Sequence, residues 1–196
     1  MKINSVDFVK SVSINNSKIF FEKKNEVIFV WRSNVGKSSL MNALFNKKNL
    51  VKTSSRAGKT RTANIFVVNN KFYFTDLPGY GFAKMGKELK KDLDSLISWY
   101  AEEKRDSIKK VVLIVDSKIG PQQSDIDMFG YIQKLQLPIL IVLSKVDRMS
   151  KSDVNKSLAH CSDVFFGQQI IPASVKSSVW VREVLVTLWE ALNSTK

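Results

Sequence analysis

Lys37 and Ser38 stand directly after Gly36, where the β-rich run Glu26–Trp31 gives way to apolar residues at helix spacing, Leu40, Ala43 and Leu44. A lysine and a hydroxyl behind a glycine at a strand-to-helix turn suit the chemistry of phosphate binding. Backbone N–H groups at the turn, together with the positive end of the helix dipole, concentrate donors on an anionic chain. The run Val30–Ser39 fills the pattern GxxxxGKS at Gly36, Lys37 and Ser38, with Trp31 standing where the first glycine belongs. In that reading the amides of Asn34, Val35, Gly36, Lys37, Ser38 and Ser39 wrap a β-phosphate. The Lys37 ammonium reaches the β- and γ-phosphates, and the Ser38 hydroxyl binds Mg2+. Trp31, Arg32 and Ser33 lead into the loop and join the same contact set. An indole must find room where a glycine would leave space, so the sequence predicts weakened nucleotide binding.

Three further runs carry compatible chemistry. Asp76-Leu77-Pro78-Gly79 closes a second β-rich run as a DxxG sequence. Its carboxylate can reach Mg2+ through water, and the Gly79 N–H can sense a γ-phosphate. Ser144-Lys145-Val146-Asp147 also ends a strand. Asp147 can accept from guanine N1–H and the 2-amino group, two donors that adenine lacks, and the Lys145 stem can lie along a base. Ser144 is shorter than the asparagine usual at that place. The same aspartate could simply cap the next helix, a reading that competes with the motif alone but not with the ordered set. Ser174-Val175-Lys176 follows the last short strand and offers backbone N–H groups to guanine O6. Between the phosphate loop and DxxG lies Gly58-Lys59-Thr60-Arg61-Thr62, the place for a segment ordered by a γ-phosphate. Thr60 is the candidate for a second Mg2+ hydroxyl; Thr62 and Thr53 are alternatives that position alone does not decide.

Positioning these groups requires strands that end together. Glu26–Trp31, Ala63–Val68, Lys71–Asp76, Val111–Asp116, Ile139–Ser144 and Gln169–Ile171 read as six strands. Helices are predicted over Lys37–Phe45, Glu88–Arg105, Gln122–Leu135, Lys151–Ala159 and Val179–Leu192. Asn69-Asn70 tolerates positive φ and predicts a tight hairpin. The alternation predicts an α/β fold, a mostly parallel six-stranded sheet with one antiparallel strand and helices on both faces. Residues 1–25 read as a lead-in strand or arm, and 26–196 as a single domain.

The 196 residues carry a net charge of +13, unevenly spread. Residues 47–110 hold 15 Lys/Arg against 7 Asp/Glu, whereas residues 111–196 hold 9 against 8. The surplus just after the phosphate loop favours a polyanion such as RNA over a membrane surface. No apolar stretch approaches the ~20 residues that cross a bilayer. The start lacks an apolar signal core, which implies no export. Cys161 is the only cysteine, which excludes an intrachain disulfide and fits a reducing cytoplasm.

Arg32-Ser33-Asn34-Val35-Gly36-Lys37-Ser38-Ser39-Leu40, Gly58-Lys59-Thr60, Asp76-Leu77-Pro78-Gly79-Tyr80-Gly81 and Ser144-Lys145-Val146-Asp147 together resemble the EngB (YihA/YsxC) family of ribosome-biogenesis GTPases. The resemblance runs from about residue 20 onward, and the Asp-Leu-Pro-Gly-Tyr-Gly run is its most specific part. It implies a P-loop NTPase G domain that binds GTP and GDP with Mg2+ held by Ser38 and Thr60. It also implies a role in assembly of the large ribosomal subunit, with ribosomal RNA as partner, and a link to cell division. The chain departs from the family at Trp31, where the family has glycine, and at Ala57, where it usually has proline. Tyr80 stands where many GTPases place a water-orienting glutamine, which predicts slow hydrolysis. In similar GTPases an asparagine at the place of Asn34 helps hold K+. Lys37, Asn34 and Thr60 are the expected catalytic set, in a cytoplasmic monomer. The competing expectations are a guanine-nucleotide-dependent assembly module with negligible hydrolysis, and an ATP-using enzyme, against which Asp147 argues.

Overall fold

The computed structural model describes residues 2–14, 22–51, 62–80 and 87–194. Its strands are β1 (Val6–Val12), β2 (Glu26–Trp31), β3 (Ala63–Val68), β4 (Phe72–Asp76), β5 (Ile108–Asp116), β6 (Ile139–Ser144) and β7 (Gln169–Pro172). Its helices are α1 (Lys37–Leu44), α2 (Lys87–Lys104), α3 (Gln123–Lys134), α4 (Lys151–Val164) and α5 (Ser178–Asn193). The strands form one sheet in the order β1-β3-β4-β2-β5-β6-β7. β4, β2, β5, β6 and β7 are parallel, and β3 runs against both neighbours.

The central strands carry long apolar runs, Val27–Trp31, Val111–Val115 and Ile139–Leu143, because helices cover both faces. β2, β5 and β6 bury Val27, Phe29, Val112, Ile114, Leu140 and Val142 on one side, with Leu40, Met41 and Leu44 of α1 and Val184, Leu188 and Leu192 of α5. Ile28, Val30, Val111, Leu113, Ile141 and Leu143 bury on the other, against Leu93, Ile97 and Tyr100 of α2 and Met128, Phe129 and Ile132 of α3. Parallel strands buried on both faces read as continuous β-branched runs, which is how the sequence spells them. No helix among the described residues is long and apolar enough to cross a membrane.

The sheet has seven strands where the sequence predicts six. The added strand, β1, comes from the lead-in segment and pairs antiparallel with β3. Only Val6 and Val12, at its two ends, are buried, while the residues between are exposed or half-exposed. An edge strand with so little burial carries no alternating signal, and a register shift between Phe8 and Lys10 blurs what remains. The predicted hairpin is present. Asn69 and Asn70 adopt φ of 51° and 53°, the pair of left-handed residues that a two-residue turn between twisted strands needs. The Asn69 side chain then ties down the start of β1, its Oδ1 accepting from the N–H groups of Asn4 at 2.7 Å and Ser5 at 3.1 Å.

At the other end of the sheet, away from the loops of interest, Glu26 is fully buried. The hydroxyls of Thr75 and Tyr100 both donate to its Oε1, and Oε2 has no partner among the described residues. Desolvation raises its pKa despite these donors and the charge of Lys104; Tyr73 is the other titratable group facing it. A carboxyl whose folded pKa is raised is protonated alike in both states at low pH. It loses folding free energy as pH climbs from the unfolded pKa through the folded one. Glu26→Gln should therefore flatten that slope. Its melting temperature relative to wild type should rise as pH climbs above the ordinary carboxyl range, and a difference that stays constant with pH there would show that Glu26 is ionised in the fold.

Candidate nucleotide site

The parallel strands β2, β4, β6 and β7 deliver their C-terminal ends to one edge, and every motif recognised in the described residues sits there. In open α/β sheets this is where ligands bind. The turn after β2 bends through Asn34 at φ 69° and Gly36 at φ 92° before α1 begins at Lys37. The turn after β6 passes through Lys145 at φ 63°, a left-handed conformation that costs a lysine roughly 1 kcal/mol.

That strained turn is locked onto the phosphate loop. The Lys145 ammonium donates to the Asn34 carbonyl at 2.6 Å and to Asp116 Oδ2 at 2.7 Å. Its stem passes 3.5 Å from where a Cβ on Gly36 would stand. The Ser144 hydroxyl donates to the Val35 carbonyl at 2.7 Å, with the Val115 carbonyl at 3.2 Å. Ser144 thus braces the loop that precedes Lys37. Asp116 itself is 3% exposed and also accepts the backbone N–H groups of Lys118 and Ile119. Sequence reasoning did not single it out; an aspartate closing an apolar strand was the available signal.

Asp147 faces the turn after β7. The Ser174 hydroxyl donates to its Oδ1 at 2.8 Å, and Lys176 Nζ lies 3.3 Å from Oδ2. These partners, Ser174 first, hold its carboxyl below the usual range. The group is therefore ionised and oriented, as an acceptor for two guanine donors must be. Val175 is exposed between them.

The phosphate end is built from Lys37, Asp76, Gly79 and Trp31. The Lys37 ammonium is buried, pairs with Asp76 Oδ2, and lies 4.3 Å from the centroid of the Trp31 ring. Burial lowers the pKa of Lys37 and pushes the Asp76 carboxyl up to about 6, each against the pull of the other. Asp76 Oδ1 is buried and makes no hydrogen bond of ordinary geometry among the described residues, with the Asn64 side chain on the neighbouring strand the other polar group that pulls the carboxyl down. A buried carboxylate oxygen without such a bond, beside the Lys37–Ser38 turn, fits an Mg2+ hydration shell, so Ser38 and Asp76 suit the cation that the motif implies. Gly58, Lys59, Thr60, Arg61 and the alternative Thr53 lie outside the described residues. Thr62 is half-buried at the start of β3.

Tyr80 has a different task from the one its position suggests. Its backbone bridges to Arg32 and hydrogen-bonds Trp31 and Ser33. Its ring is buried, and its hydroxyl donates to Asp125 Oδ1 at 2.9 Å. Arg32 Nε approaches Asp125 Oδ2 at 3.4 Å, and the same oxygen accepts the Gln122 N–H at the start of α3. The fully buried Asp125 thereby staples the phosphate loop, the DxxG turn and α3 together. Nothing in its sequence context distinguished it from an ordinary first-turn acid.

Gly79 is required here for space. A Cβ on it would lie 2.5 Å from Trp31 Nε1. The wide aromatic at 31 has thus been accommodated by setting its Nε1 edge against the DxxG glycine.

Known proteins resemble this chain in sequence and in fold. Residues 26–145 match the family model for the 50S ribosome-binding GTPase. A Natranaerobius thermophilus protein named "Probable GTP-binding protein EngB" is 44% identical over 76% of this chain and 76% of its own length. The protein of that name from Thermoanaerobacter pseudethanolicus is 36% identical over 94% of this chain and 96% of its own. A crystal structure described as a probable GTP-binding protein engB superposes with a TM-score of 0.71 at 25% identity, covering 85% of this chain and 98% of that one. Aquifex aeolicus Era bound to GDP·AlF4− shares the fold, with a TM-score of 0.70 at 23% identity over 89% of this chain and 59% of Era.

Gly79→Ala should destabilise the protein by about 1–3 kcal/mol in urea unfolding, the cost of overpacking. In a Trp31→Gly background the same change should cost far less, since the clashing ring is gone. Equal costs in the two backgrounds would show that the indole does not pack on Gly79.

Proposed function

The chain belongs to the EngB family of GTP-binding proteins, and from that premise we propose that it is a slow GTPase acting as a switch in assembly of the large ribosomal subunit. The observation that carries the reading is the union of the base and phosphate ends: Lys145 and Ser144 hold the Asp147 turn against the Asn34–Val35 carbonyls. One guanosine phosphate can then span Asp147 and the loop amides. Asp147 selects guanine because adenine offers neither donor and would leave the carboxylate unpaired. The Ser174–Lys176 turn serves O6 through the Ser174 and Val175 amides, while the Lys176 N–H donates to the Ser174 hydroxyl oxygen at 3.0 Å.

In the phosphate site Lys37 exchanges Asp76 for the phosphate chain, which is energetically reasonable because it is already buried and needs a counter-charge. Ser38 and Thr60 would hold Mg2+, with Asp76 reaching it through water, and the cation would supply charge neutralisation to the β- and γ-phosphates. The segment Gly58–Thr62 and the turn Asp76–Gly79 are the parts that GTP would order and hydrolysis release. Asn34, whose side chain is exposed at the loop tip, would help hold a K+ ion, which would supply positive charge to the transferring phosphate, with Lys37 and Thr60 completing the catalytic set. Tyr80 does not guide the attacking water, because its hydroxyl is committed to Asp125. Slow intrinsic turnover follows.

The partner is large-subunit precursor RNA, met by the basic segment that includes Lys47, Lys48, Lys52, Arg56, Lys59, Arg61, Lys84 and Lys87. The setting is a cytoplasmic monomer built on the single domain 26–196, with the lead-in 1–25 supplying the edge strand, and the cellular outcome extends to septum formation. The commitment of Tyr80 and the contact of Trp31 with Lys37 favour one second reading: an RNA-binding assembly module that uses the nucleotide without hydrolysing it. Single-turnover GTP hydrolysis with precursor particles separates the two, because only the switch shows particle-stimulated phosphate release.

Co-sedimentation with large-subunit precursors tests the main reading. Binding should be several-fold stronger with a non-hydrolysable GTP analogue than with GDP, and should fall steeply as salt rises. Binding indifferent to both would refute it. Replacing Na+ by K+ should accelerate GTP turnover; equal rates would remove the role given to Asn34.

A further inference from the structure

The Trp31 indole stands between the two groups that a third phosphate must meet. One of its flanks lies under the Lys37 ammonium, 4.3 Å from the ring centroid. Its Nε1 edge lies against Gly79, close enough to exclude a methyl group. The residue is 9% exposed and packs with Val35, Leu40 and Phe29. The base end is built by different elements, β6 and β7, and the β-phosphate is served by the loop amides.

We propose that Trp31 is a specificity residue that discriminates between nucleoside diphosphate and triphosphate by filling the space between Lys37 and Gly79. This deepens the guanine-nucleotide reading given above and rests on it. A γ-phosphate engages Lys37 Nζ and the Gly79 N–H together. With the ring face under Lys37 and its Nε1 edge against Gly79, those two contacts become available only when the ring moves aside. A diphosphate ends before Gly79 and leaves the ring where it is. Apparent triphosphate affinity is then reduced by the fraction of molecules with the ring displaced, while diphosphate affinity is not. The indole also gives Lys37 a favourable π face in the diphosphate-bound and empty states, which a triphosphate must replace. The result is a protein biased toward its GDP form, and a partner that draws Trp31 out would favour GTP loading.

Titration calorimetry in Mg2+ with GDP and with guanosine 5′-(β,γ-imido)triphosphate tests this on wild type, Trp31→Gly and Trp31→Phe. The ratio of triphosphate to diphosphate affinity should rise about tenfold in Trp31→Gly and by less in Trp31→Phe, which keeps a smaller ring. In wild type minus Trp31→Phe fluorescence, the analogue should produce a tryptophan signal change that GDP does not. A ratio equal in all three proteins, or an identical fluorescence response to both ligands, would overturn the assignment while leaving guanine binding intact. Absence of heat with either ligand in all three proteins would overturn the underlying guanine-nucleotide reading as well.

Discussion

The Lys145 ammonium, shared between the Asn34 carbonyl and the Asp116 carboxylate, is what makes two separate turns into one site. The loop after β2 and the loop after β6 are more than a hundred residues apart in sequence. Without a fixed relation between them, donors for a phosphate and an acceptor for a base would not share a ligand. The parallel sheet brings both loops to one edge, and Lys145 sets their spacing. Its left-handed backbone shows that the arrangement is held against local preference. Strain of this kind persists only where surrounding contacts over-determine it, and here an ion pair and a backbone bond do so. Ser144 adds the second bracket through the Val35 carbonyl.

A second constraint operates at the phosphate end. Lys37 and Asp76 are both buried, and each suppresses the cost of the other's charge. Breaking a buried pair without replacement is expensive, of the order of 3–5 kcal/mol. In the proposed function a polyphosphate with its cation would replace the pair, releasing Lys37 and Asp76 to new partners. Trp31 and Gly79 complete the same corner, and the Arg32–Tyr80–Asp125 staple fixes the backbone behind it. The departure from the usual glycine at 31 is therefore absorbed locally, by the absence of a side chain at 79, rather than by distortion of the sheet.

The strands that bear the site were legible because burial on both faces demands unbroken β-branched runs. Glu26–Trp31, Ala63–Val68 and Ile139–Ser144 appear with the bounds the sequence implies. The Asn69-Asn70 turn was legible because few residue pairs adopt two left-handed conformations in succession. β1 was legible only as a lead-in strand or arm without bounds, since an edge strand that buries only its ends leaves no periodic trace. The motif residues of the described loops are gathered at one edge, but their partners were hidden. Asp116 and Asp125 act through contacts 29 and 93 residues away, to Lys145 and Arg32, and no local pattern marks such an acid. Tyr80 was read from its place after DxxG; its ring instead turns inward to Asp125, because a phenol with a buried carboxylate partner gains more there than in water. The resting place of Trp31 depended on a glycine 48 positions later, a pairing only the fold discloses.

The central claim is that Asp147 and the amide-lined turn before Lys37 grip opposite ends of one guanosine phosphate. Calorimetric competition between GDP and ADP, in Mg2+, on wild type and Asp147→Ala addresses it most directly. The account predicts heat with GDP alone in wild type, and an affinity loss of about a hundredfold or more in the variant with its fold retained. Equal heats from GDP and ADP, or a GDP affinity untouched by Asp147→Ala, would contradict it.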